Sequence, residues 1–197
     1  MLVFDPLPYA TYSFVMAITP GPNNVMLTAS GANFGFRRTV PHVLGIATGH
    51  ATQMVAVCAG LGALFSHWPV LQTILQWVGA AYLVFLGWKL IRSGEVRAGH
   101  APQPITFWQA AAFQFVNPKA WVMSLSGAAL FLPEGMGLLA ATAAILSVMV
   151  IVNLPCITVW AAFGSALRGI LTRKSARLTF NIVMAVALAA TGVIMVT

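Results

Sequence analysis

Pro20, Gly21, Pro22, Asn23 and Asn24 follow one another inside an apolar segment near the N-terminus. A proline donates no backbone hydrogen bond, and its ring pushes away the carbonyl four residues earlier. Pro20 therefore frees the carbonyl of Met16, and Pro22 that of Ile18. A helix that restarts near Asn23 and Asn24 presents unpaired N–H groups at the positive end of its dipole. One side of such a break suits an ammonium and the other a carboxylate, so together they match a zwitterion. The competing reading is a packing kink with no ligand. Two prolines clustered with a glycine and two asparagines favour the functional break.

A second break is written at Gln114, Phe115, Val116, Asn117, Pro118 and Lys119, where Pro118 frees the carbonyl of Gln114. With a helix starting at 108, Lys119 lies roughly 15–17 Å along it. A charge at that depth of a bilayer costs on the order of 2.5–3.5 kcal/mol. We read Lys119 as a partner for a substrate carboxylate; the alternative is a lysine snorkelling to water or tied to carbonyls. His50 lies roughly 14 Å into the second apolar segment, where an imidazole either relays protons or bonds a neighbouring helix. Asn153 sits beside the carbonyl of Ile151 that Pro155 frees, which makes it a further binding candidate. Cys58 and Cys156 have no CxxC spacing and read as buried apolar side chains.

These residues need elements to hold them. Of the 197 residues, 59% are hydrophobic and 7% charged, with a mean hydropathy of +0.88. A soluble domain carries about 25% charged residues, so this chain is expected to be an all-α integral membrane protein. Six transmembrane helices are expected, at 7–32, 41–65, 70–91, 108–132, 137–163 and 178–197, because a span needs about 20 apolar residues. The N-terminus lacks the basic region of a cleaved signal peptide, so its first segment is read as a span. Tyr9, Trp68 and Trp108 fall near span ends, as interfacial anchors do.

The basic residues fall in alternate links. Arg37 and Arg38 lie between spans one and two. Lys89, Arg92 and Arg97 lie between three and four, and Arg168, Arg173, Lys174 and Arg177 between five and six. The other links hold His67 and Glu134 but no Lys or Arg. This bias places the basic links in the cytoplasm and both termini outside. It also explains the net charge of +7 without nucleic acid, for which the links are too short to build a basic face. The acids Asp5, Glu95 and Glu134 all fall outside the spans, which disfavours cationic substrates and proton coupling through a carboxylate. His50 and Lys119 remain for coupling. No Walker motif is present, and no cofactor or metal is expected.

Each half has three spans and begins with a broken one. Three spans per half force opposite orientations, so halves of about 1–95 and 104–197 read as inverted repeats of a single transporter domain with a midplane site. Gly45 and Gly49, and Gly31 and Gly35, are spaced for close helix packing. A homo-oligomer is compatible with these features.

Over essentially its whole length the chain resembles the LysE/RhtB family of bacterial amino-acid exporters. The resemblance is carried by Thr19-Pro20-Gly21-Pro22-Asn23-Asn24, Gly35-Phe36-Arg37 and Gly45-Ile46-Ala47-Thr48-Gly49. It continues through Gly79-Ala80-Ala81-Tyr82-Leu83, Leu86-Gly87-Trp88-Lys89, Phe107-Trp108 and Phe113-Gln114-Phe115-Val116-Asn117-Pro118-Lys119. The two break segments look most like the branch exporting cysteine and O-acetylserine. The resemblance implies secondary-active efflux of small amino acids across the cytoplasmic (inner) membrane, driven by the proton gradient. It carries a substrate role most directly onto Pro20, Gly21, Pro22, Asn117 and Pro118. Members exporting lysine have an acid in span two, which this chain lacks.

Two other classes compete. A passive channel would need no more residues than these. An intramembrane hydrolase would use Ser124-Leu125-Ser126-Gly127, but the glycine two places before the serine is missing and His50 would have to serve as base.

Overall fold

The computed structural model describes residues 4–92 and 103–196. Arg97, Glu95 and the join between the two expected halves lie outside the described residues. Nine α-helices and no strand occur among the described residues. They are α1 (Leu7–Ile18), α2 (Pro22–Phe34), α3 (Phe36–Ala56), α4 (Gly62–His67), α5 (Pro69–Arg92), α6 (Phe107–Gln114), α7 (Pro118–Phe131), α8 (Leu138–Leu167) and α9 (Lys174–Val196).

Both prolines at the first break act as their chemistry requires. A residue before proline is driven to extended backbone, and Thr19 has φ −67° and ψ 143°. Pro22 then opens α2 at the first helical position, where a missing N–H costs nothing. At the second break Asn117 is extended at φ −92° and ψ 106°, and Pro118 opens α7. α6 is started by Thr106, which exchanges hydrogen bonds with Gln109 in a capping box.

The second apolar segment departs from expectation at both ends. It begins at Phe36 rather than 41, because Pro41 sits only one turn and a half into α3 and costs a single bond near the helix start. Arg37 and Arg38 thus belong to the first turn of α3. Its far end kinks within Val57–Leu61, where Gly60 leaves the helical region at φ 107°, before α4. Pro155, by contrast, leaves α8 continuous over 30 residues.

Four of these segments are long and apolar enough to cross a membrane: Phe36–Leu61, Thr73–Arg92, Leu138–Leu167 and Lys174–Ile194. The broken pairs α1/α2 and α6/α7 are shorter helices consecutive in the chain, of which Leu7–Ile18 is an apolar helix too short to span alone. Large apolar side chains stand on the outside, including Leu139 at 86% exposure and Trp108 at 78%, as expected where the surrounding solvent is lipid. Tyr9 does not behave as an interfacial anchor. It is 1% exposed and packs its ring on Tyr12 and Phe131, because α1 turns that face toward the protein.

Helices from the first part of the chain pack chiefly on helices from the second. α2 and α1 lie along α8, α3 lies along α6, and α5 lies along α9. Close approach has a definite cause at the first contact. A Cβ on Gly164 would fall on the carbonyl oxygen of Thr28, and one on Gly31 on that of Ala161, so only glycine lets these backbones meet. Asn33 and Asn181 exchange amide hydrogen bonds between α2 and α9.

Candidate functional site

The two breaks face each other across a cleft holding about 560 Å3 of empty space, counting its open mouth. Its polar lining comes from Asn23 and Asn24 of α2, His50 of α3, Asn117 and Lys119 at the second break, and Asn153 of α8. Gly21 and Pro22 complete the first wall, while Met123, Met149 and Ile157 supply apolar surface. Pro20, Gln114 and Pro118 do not line the cleft; they shape it from behind.

Most of the polar side chains are engaged in holding the breaks. The Asn24 amide donates to the carbonyls of Ala17 and Thr19, at 2.9 and 2.8 Å. Thr19 Oγ1 donates to the Met16 carbonyl that Pro20 set free. Asn117 Oδ1 accepts from the Lys119 N–H and caps α7. Two ties then join the breaks. Asn23 and Gln114 exchange amide hydrogen bonds at 2.8 and 3.2 Å. Lys119 Nζ reaches across to the carbonyls of Thr19 and Pro20 and to Thr19 Oγ1.

Gln53 extends the first tie, donating from α3 to the Gln114 carbonyl freed by Pro118. Neither Gln53 nor Thr19 stood out as a candidate in the sequence. Gln53 was legible in principle, being one turn beyond His50 on the same face of α3. Thr19 was legible as the last residue before Pro20.

Two buried polar atoms are left unpaired on side chains that line the cleft. Asn153 Nδ2 lies 3.5 Å from His50 Nδ1, the outer limit of a hydrogen bond. Asn153 Oδ1 and His50 Nε2 are buried and without a partner. With Nδ1 accepting, the neutral imidazole carries its proton on Nε2. The cleft then offers one free acceptor and one free donor on adjacent helices. At the start of α2, Gly21 supplies no side-chain cap, so the positive end of that helix also opens on the cleft. Among the described residues no cluster of His, Cys, Asp and Glu could hold a metal. Ser126 does not line the cleft with His50.

An apolar all-helical chain, with several helices long enough to span a bilayer and a polar cleft between interrupted ones, is a multi-pass membrane protein. The LysE type translocator family matches residues 14–197, and the chain belongs to that family. It is 36% identical over 126 residues to proteins named cysteine/O-acetylserine efflux protein in Escherichia coli, Shigella flexneri and Shigella sonnei. That similarity covers 63% of this chain and 64% of each relative's length. No solved structure matches significantly. Family membership weighs against the hydrolase.

Proposed function

We propose that the chain is a secondary-active exporter of small neutral amino acids or their derivatives, of the cysteine/O-acetylserine or homoserine/threonine type, in the bacterial cytoplasmic membrane. The observation that carries this reading is the pair of orphaned polar atoms, His50 Nε2 and Asn153 Oδ1, in a cleft between two broken helices. A buried orphan costs about 1–3 kcal/mol, a cost that a ligand would relieve. The backbone N–H groups of Asn23 and Asn24 at the start of α2, joined by Lys119, receive the substrate carboxylate. Asn153 and His50 read the rest of the molecule.

Two inverted halves, 1–95 and 104–197, move around this site in alternating access. The cross-packing of α1 and α2 on α8, and of α6 on α3, supports the repeat, because each broken span leans on the middle span of the other half. Proton antiport is assigned to His50, since Asp5 and Glu134 lie outside the helices. Both termini face outward.

Counterflow into proteoliposomes tests this. Vesicles preloaded with one unlabelled amino acid receive labelled cysteine, O-acetylserine, threonine, leucine or lysine, with and without a pH gradient. Saturable, gradient-sensitive exchange of a neutral member and none of lysine is expected. Flux that rises linearly with concentration would establish a passive channel instead.

A further inference from the structure

The lysine tie contains a ligand site of its own. Lys119 Nζ lies 2.8 Å from the Thr19 carbonyl, 2.9 Å from Thr19 Oγ1 and 3.3 Å from the Pro20 carbonyl. An ammonium has three N–H groups, and three acceptors converge here to take all of them. The acceptors exist because of the break. Pro20 stops α1, and the carbonyls at its C-terminal end carry the negative pole of that helix.

The lysine arrives from the other break, and room has been left for it. A Cβ on Gly21 would sit 2.9 Å from Lys119 Cδ and 3.1 Å from Nζ, so any larger residue there would push the stem off the break. Lys119 itself lines the cleft. A cradle shaped for a primary ammonium therefore adjoins the proposed substrate site, filled by the chain's own primary ammonium.

We propose that this cradle is the ammonium subsite of the carrier, occupied by Lys119 in the empty protein and open to the ammonium of an amino-acid substrate when the lysine withdraws. The inference rests on the carrier reading above and deepens it. Withdrawal turns Lys119 toward the carboxylate at the start of α2, so the substrate exchanges one ammonium for another and supplies the anion that holds the displaced one. The empty protein stays tied between its two breaks, and a zwitterion of the right size unties it. Asn153 Oδ1 and His50 Nε2 are then left to read the substrate side chain. Ligands whose nitrogen has no N–H cannot use three converging acceptors.

Chemical rescue tests the cradle apart from transport. Lys119→Ala removes the equivalent of n-propylammonium. In detergent, n-propylammonium should raise the thermal midpoint of Lys119→Ala most of the way to that of the wild type, while n-propanol should not, and the wild type should be indifferent to both. Rescue by neither compound, by both alike, or an equal shift in the wild type would overturn the proposal. If Lys119→Ala does not yield folded protein, Lys119→Met keeps the stem over Gly21 and removes only the charged end, and the ammonium ion, with sodium ion as its control, becomes the probe with the same outcomes. The substrate's use of the cradle is read in wild-type counterflow: the N-trimethyl derivative of whichever amino acid exchanges should neither exchange nor compete, and equal exchange by both would sink it. Wild-type vesicles showing no counterflow at all would instead count against the carrier reading, which the rescue experiment does not depend on.

Discussion

At the scale of single residues, the site divides into side chains that are spent and side chains that are free. Asn24 and Asn117 are consumed in closing the ends of broken helices. Asn153 keeps an unpaired oxygen. Replacing it therefore separates stability from function. Asn153→Leu deletes an orphaned acceptor, worth about 1–3 kcal/mol, and a hydrogen bond at its length limit, worth about 1 kcal/mol or less. Stability should stay within about 1 kcal/mol of wild type, while loss of a bond to a charged or polar substrate group should cut counterflow about ten- to a hundredfold. Thermal unfolding beside counterflow decides it, and a variant that unfolds early would make Asn153 a structural amide.

At the scale of elements, the first break rests on a close contact between two helix backbones. α2 meets α8 where Gly31 and Gly164 leave each backbone against the other. Gly164→Ala places a methyl on the Thr28 carbonyl, and overpacking of this kind costs about 1–3 kcal/mol. Gly137→Ala meets no atom within 4 Å and lies at φ −62°, open to any residue. Midpoints of thermal unfolding should fall for the first and hold for the second. Since α2 carries the start of the substrate site, Gly164→Ala should also weaken counterflow in whatever fraction stays folded.

For the whole molecule, the open question with the largest consequence is which face meets the cytoplasm. The start of α3 and the end of α8 share one end of the protein: the Phe36 N–H bonds Ser165 Oγ, and the Arg168 guanidinium lies against Gly35. Arg37, Arg38 and Arg168 thus form one basic end, which the positive-inside bias assigns to the cytoplasm. In intact cells carrying a variant without Cys58 and Cys156, a membrane-impermeant maleimide should label Glu134→Cys and spare Arg37→Cys. The reverse labelling would invert the topology and turn the proposed exporter geometry around.

Much of this protein was legible from local chemistry alone. Apolar length, proline stereochemistry and charge bias are properties of contiguous residues. They marked out the apolar helical stretches and both interruptions. Gly60 escaped because a lone glycine in an apolar run does not by itself mark a kink, and Tyr9 because burial depends on which way α1 faces. The partners of the polar side chains lay beyond the sequence for the same reason. Lys119 is 100 residues from Thr19, Gln114 is 91 from Asn23, and Asn153 is 103 from His50. Which asparagine is spent on a helix end and which stays free is decided by contacts between distant segments, and only packing the two breaks face to face creates them.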